Sequence, residues 1–448
     1  MKLSTSFNSY LTKILVIAVL FVILPMLFGS FGELNTTASY LRSCGVFFVL
    51  TLVSVKLILG KEYVIYFSIA FVIQLLIGLV HYLILVDPNY FMSDGSPVEL
   101  FWGEFHSVFN NVDQLIKNRS GQSFFYFDSD EWNVTHGEMW RIITVPFVFL
   151  GNKWLNYSPF NVFSSLLAAA NLILAFNCLV PSDFGKNTNS TRKLFQFAIV
   201  YFPLFLLNDT LWRDAFGVAL ISIGLMLTLF SKSFDKKIIS LIILVYLSYL
   251  LRNVYVVIAG LVFALQEIKM RKASTLLYIP IVIVAFFLIT IFYQTNTSDE
   301  YAGMYVNSMS VLALPLKIVM GVIGPFPWTQ FMMTFAGRVQ NAYQLADYIL
   351  GIFQLGFLIA IISEWRHVSF RNLDSITIMG FGIAMSGFIS NAMHICYIAE
   401  GIFFTLPWFF QQVGTKYNKY FRISFIVLLL LNIVVIATGN LGIAGLWR

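Results

Sequence analysis

Two arginines and an aspartate mark where this sequence could do chemistry. Arg213 and Asp214 close the stretch Asn208-Asp209-Thr210-Leu211-Trp212-Arg213-Asp214, and Arg252 interrupts the apolar run Leu250-Leu251-Arg252-Asn253-Val254. Guanidinium forks match phosphate oxygens bidentately, so two arginines on one side of a cavity suit a diphosphate. Charge inside an apolar span is costly and is kept for function or for a partner. Arg213 and Asp214 are sequence neighbours, which on a helix point about 100° apart, so they do not pair face to face. The structural alternatives are an ion pair with another helix, or snorkelling, for Arg213-Asp214, and a water-exposed turn for Arg252.

Lys317 and Arg338 flank Gly324-Pro325-Phe326-Pro327-Trp328 and can either join a phosphate site or anchor to lipid headgroups. Two prolines beside a glycine end any helix there. Non-helical backbone at a membrane is tolerated where it lines a cavity, which places 324–328 at the rim of an outward-facing one. A general base must reach the hydroxyl it deprotonates. Asp94, in Ser93-Asp94-Gly95, and Asp214 are the candidate catalytic carboxylates; Glu99 and Glu104 follow on an expected helix with His106. The alternative for the loop acids is a solvated surface. Glu99, Trp328, His394 and Glu400 are candidate substrate-binding groups, with a hydrogen-bonded core histidine as the other reading of His394. Asp128, Asp130 and Glu131 lack the glycine spacing of a calcium loop, and no metal site is assigned. Cys44, Cys178 and Cys396 fit no metal spacing and are read as small buried hydrophobes.

The elements that must position these groups are membrane spans. Of 448 residues 58% are apolar and 11% charged, against about 25% charged in soluble domains. Apolar runs near 12–30, 39–58, 63–86, 158–180, 194–207, 211–230, 238–251, 254–266, 275–293, 345–363, 374–395, 397–413 and 423–440 predict an all-α, polytopic bundle of about 12–14 spans. The first run follows Lys2 and Lys13 without an obvious cleavage site, which reads as a retained helix. Segments 194–207, 238–251 and 254–266 are short for a span, and 238–266 suits one bent helix pair.

Most lysines and arginines fall on one side of this topology, including Lys56, Lys61, Lys186, Lys236, Lys269, Arg366 and Lys416. The positive-inside rule then puts the N-terminus in the cytoplasm of an inner membrane. The formal charge of +6 is spread over such short loops, which argues against nucleic acid as a partner, since that needs a clustered basic face. Two long non-cytoplasmic segments remain, 87–157 and 294–344. Each carries a short apolar piece, 142–150 and 314–323, too short to span and read as re-entrant or interfacial. No repeat and no linker divides the chain, so 1–448 reads as a single integral membrane domain.

Asp94 after an early span, Trp212-Arg213-Asp214 opening a helix, Leu251-Arg252 two spans later and Gly324-Pro325-Phe326-Pro327-Trp328 form an ordered pattern over about 90–410. The pattern resembles bacterial O-antigen and capsule repeat-unit polymerases, and related GT-C-type glycosyltransferases with polyprenyl-linked donors. The resemblance implies a periplasmic-face active site, undecaprenyl-linked glycan substrates and inverting transfer without a nucleotide sugar. It implies that Arg213 and Arg252 hold the diphosphate and that Asp94 serves as base or metal ligand; Trp328, in the 324–328 turn, can stack on a sugar face. No cofactor is expected of a polymerase, whose further partner would be a chain-length regulator in the same membrane; a GT-C-type enzyme would admit a divalent cation. Two alternatives stay open: a GT-C-type enzyme adding one sugar from a polyprenyl-phosphate donor, and a lipid-linked oligosaccharide flippase or transporter.

Overall fold

A computed structural model describes residues 6–29, 36–80, 137–151, 154–179, 188–200, 214–270, 284, 355–366, 373–389 and 395–437. Nearly all of these are helical, and none of the described residues lies in a strand. The helices with defined ends are α1 (Phe7–Phe28), α2 (Thr36–Ile58), α3 (Val64–Val80), α4 (Gly137–Leu150), α5 (Trp154–Leu179), α6 (Thr188–Val200), α7 (Asp214–Phe230), α8 (Phe234–Leu251), α9 (Asn253–Met270), α10 (Ser375–Ile389), α11 (Ile395–Val413) and α12 (Tyr417–Ala437). Among the described residues, four stretches are long and apolar enough to cross a membrane: Phe7–Phe28, Thr37–Ile58, Lys61–Leu79 and Asn156–Leu179.

Several boundaries differ from the hydropathy reading. The segments expected as short spans 238–251 and 254–266 are each 18-residue helices, α8 and α9, about 27 Å long. Helix length follows the backbone hydrogen-bond ladder, which continues through polar residues such as Asp235 and Glu267 that the apolar windows leave out. The two are separate helices, broken at Arg252, whose φ of −157° and ψ of 131° are extended. The expected span 194–207 begins earlier, as α6. The end of the expected loop 87–157 is helical: α4 packs on α1 and α2. At 14 residues, about 21 Å, α4 is shorter than the roughly 30 Å apolar layer of a bilayer. The segments 275–293 and 294–344 lie outside the described residues, apart from Val284.

The chain separates into two compact units, Met1–Leu174 with Phe205–Arg252, and Ala175–Leu204 with Asn253–Arg448. One crossing runs through α5, and another falls at Arg252 between α8 and α9.

The first unit is held by aromatic packing. Phe21 of α1 stacks on Phe216 of α7 with ring centroids 5.9 Å apart, Phe160 of α5 lies 5.2 Å from Phe216, and Phe147 of α4 stacks on Tyr157 at 3.9 Å. Offset and tilted rings at these separations add to simple area burial. The α4–α5 turn needs Gly151, at φ 95°, where a Cβ would strike Ser39 Oγ. That hydroxyl donates to the Leu150 carbonyl and accepts from Asn156 Nδ2 at 2.6 Å, so one serine of α2 fixes the turn. On the outside, Leu15, Val19 and Leu27 of α1, Ile65 and Ile69 of α3 and Ile242 of α8 are exposed. Water would penalise so much apolar surface on soluble helices. With the apolar helices, these faces point to a membrane protein.

In the second unit α10 and α11 cross at backbone contact. A Cβ at Gly401 would sit 2.6 Å from the Ala384 nitrogen and 2.7 Å from the Gly380 carbonyl oxygen. Small residues allow such close approach, which is how helices associate where lipid gives no hydrophobic drive. Gly382 takes Ile258 of α9 in the same way, at 2.5 Å, and Phe195 of α6 packs on Phe410 of α11 at 5.5 Å. At the α11–α12 connection Lys416 Nζ donates to Glu364 Oε2 at 2.8 Å, and Tyr420 Oη donates to Oε1 at 2.7 Å. The Glu364 hydrogen bond holds the Lys416 ammonium above its ordinary pKa.

Candidate functional site

The hairpin of α7 and α8 builds the site in the first unit. Its turn is closed by Ser231 Oγ, within 2.7 Å of the Leu227 carbonyl and 3.0 Å of the Lys236 carbonyl. From there the helices run back antiparallel. A Cβ at Gly224 would lie 2.9 Å from Leu244 Cδ1, and one at Gly217 would lie 2.5 Å from Leu251 Cδ1. In this register the first residue of α7 meets the residue that ends α8. Arg252 Nη2 donates to Asp214 Oδ1 at 2.8 Å. The 17 residues of α7 put the pair about 26 Å from the turn.

Local forces favour both charges. Asp214 is in the first turn of α7, where the positive end of the helix dipole stabilises a carboxylate, and Arg252 caps α8, where the negative end stabilises a cation. Arg252 keeps its own N–H bonded to the Ser248 carbonyl at 2.9 Å. Because the hairpin is antiparallel, each charge suits the end of its own helix and also meets the opposite charge on the other. The two are unequally buried, with side-chain exposures of 13% for Arg252 and 0% for Asp214. Asp214 uses one oxygen; Oδ2 is buried with no hydrogen-bond partner among the described residues.

Of the residues singled out from sequence, Asp214 and Arg252 are thus brought together, as the ion pair between helices that was one of the alternatives for Asp214. Neither adjacency nor spacing signals this, since the partners are 38 residues apart. Glu400 lies in the second unit, fully buried in α11, where Tyr255 Oη donates to its Oε2 at 2.7 Å. Asp94, Glu99, Arg213, Lys317, Trp328, Arg338 and His394 lie outside the described residues, as do Asp128, Asp130 and Glu131. Cys178 is exposed and Cys44 half-buried, so the expectation of buried cysteines fails for Cys178.

One polar cluster escaped the sequence reading. Tyr10 Oη donates to Asn171 Oδ1 at 2.9 Å, and Asn171 Nδ2 donates to Ser222 Oγ at 2.8 Å. Ser222 Oγ in turn donates to the Ala219 carbonyl at 2.6 Å. All three side chains are buried, and they tie α1, α5 and α7. The signal was present: Asn171 is an amide in the middle of a long apolar helix, where it must find a partner.

Comparison with known protein families, curated proteins and solved structures finds no match to this chain.

Proposed function

We propose that the chain is a polytopic inner-membrane enzyme that polymerises undecaprenyl-diphosphate-linked repeat units at the periplasmic face. Positive-inside charge supports a cytoplasmic N-terminus and, with it, an outward-facing Asp214–Arg252 end of the hairpin. The observation that carries the reading is Arg252, a helix-ending guanidinium that is mostly buried yet reaches the surface and is bonded by a buried carboxylate. A cation held in this way, near a low-dielectric interior, suits a developing phosphate charge.

In the reaction, a hydroxyl of the incoming lipid-linked repeat attacks the anomeric carbon of the growing chain. The bond from that carbon to undecaprenyl diphosphate breaks, and the diphosphate leaves with the electron pair. Arg252 and Arg213 take up its charge. The hydroxyl proton passes to a carboxylate, for which Asp94 is the candidate. Trp328 and Glu99 would hold sugar, with Lys317 and Arg338 near the phosphates.

The test is deletion of the gene in its host, with the surface glycan run on a gel and complementation by Arg252→Lys, expression checked. Loss of the ladder down to one repeat, restored by wild type and not by the variant, is the expected result. A missing single sugar would replace this reading with single-residue transfer, and an unchanged glycan would overturn any glycan-forming role.

A further inference from the structure

Asp214 entered as a candidate base, and its surroundings do not suit that task. A base must present an oxygen to the hydroxyl it deprotonates, within hydrogen-bond reach. Oδ1 is taken by Arg252 Nη2 at 2.8 Å, and Oδ2 is sealed inside the first unit. The side chain has no exposure at all, whereas that of Arg252 is 13% exposed. Only the arginine meets the outside.

The pair is also poorly explained as a device for stability. An ion pair taken out of water gains little over apolar packing unless its remaining polar atoms are satisfied, and Oδ2 has no partner among the described residues. What the arrangement does supply is direction. Arginine has several rotatable bonds, and a guanidinium that must grip a phosphate with two parallel N–H groups gains from a fixed plane. Asp214 sits on the first turn of α7, which is itself set against the end of α8 by the Gly217–Leu251 contact. The bond from Nη2 to this anchored oxygen fixes one corner of the fork.

We propose that Asp214 is a positioning residue that presents the Arg252 guanidinium to a diphosphate, and takes no proton in the reaction. This rests on the polymerase reading for the identity of the anion.

The experiment uses purified full-length protein in detergent micelles and inorganic pyrophosphate as probe, read by calorimetry, with Asp214→Asn, Asp214→Ala and Arg252→Lys. Folding is checked by gel filtration and by thermal unfolding. Asn and Ala are equally uncharged, so comparing them cancels the effect of removing a negative charge. They differ in that the Asn carbonyl oxygen still accepts from Nη2. Wild type is expected to bind, Asp214→Asn to stay within about threefold of it, and Asp214→Ala and Arg252→Lys to weaken at least about tenfold. Equal affinities for folded Asn and Ala variants would overturn the positioning role while leaving the diphosphate site standing. Absence of pyrophosphate binding by wild type would overturn the diphosphate reading itself, and the inference with it. In cells, Asp214→Asn should restore the glycan ladder where Asp214→Ala does not. Loss of the ladder in an Asn variant that still binds pyrophosphate would show that Asp214 moves a proton, and would refute the proposal.

Discussion

Breaking the Asp214–Arg252 pair from its two sides should have unequal consequences for stability. Arg252→Ala strands a carboxylate with no exposure, whereas Asp214→Ala leaves a guanidinium whose side chain is 13% exposed and can turn to solvent. Removing one partner of a buried pair costs about 3–5 kcal/mol. For Asp214→Ala the remaining cation keeps part of its hydration and about 1–2 kcal/mol is expected. The double alanine variant removes both charges and should be more stable than Arg252→Ala alone, by about 1–3 kcal/mol of coupling. Equilibrium unfolding in mixed micelles at pH 7 measures all four proteins. Equal penalties for the two single variants, or a double variant no better than Arg252→Ala, would refute the assigned burial and the direct pairing.

Further outcomes can be checked in the same system. Gly401→Leu should destabilise by about 1–3 kcal/mol or more, because its Cβ meets the Ala384 and Gly380 backbones, which cannot yield as a flexible side chain would. Gly260→Ala, a helical position with open space around it, should stabilise by up to about 1 kcal/mol; thermal midpoints of the two give opposite signs. Asn171→Leu strips the buried Tyr10 and Ser222 of a partner and should cost about 1–3 kcal/mol, read by chemical unfolding. The Lys416–Glu364 contact raises the folded-state pKa of the lysine. Its contribution is therefore fully present below the ordinary lysine range and is lost as pH rises through the raised value. The unfolding midpoint of Lys416→Met should accordingly lag wild type at pH 8 and converge with it at strongly alkaline pH.

The helices themselves were legible because long apolar runs have few other uses, and α1, α2, α3 and α5 follow the hydropathy pattern. Ends were less so. The apolar windows missed Asp235, Lys236 and Lys237, which belong to α8 although they are charged. The break between α8 and α9 was readable at Arg252, whose charge stands out in an apolar run. Its partner was not. Whether Asp214 faces Arg252 depends on how α7 is rotated and on the register set by Gly217 and Gly224, and no local pattern encodes either. The same reason hid Tyr255 from Glu400: each residue was visible, while the contact between them belongs to the packing of α9 and α11.

The neutral end of the α7–α8 hairpin has a consequence for how the chain enters a bilayer. Carried singly, an arginine or an aspartate costs about 2.5–3.5 kcal/mol at the middle of a span on insertion scales, and less toward the helix ends where this pair lies. A hairpin whose terminal charges already cancel, and whose turn is tied by Ser231, can cross as one body with that charge compensated. The pair would then be assembled before the rest of the unit closes around it, so Asp214→Ala and Arg252→Ala should each lower the yield of inserted protein in a cell-free translocation assay more than the double variant does.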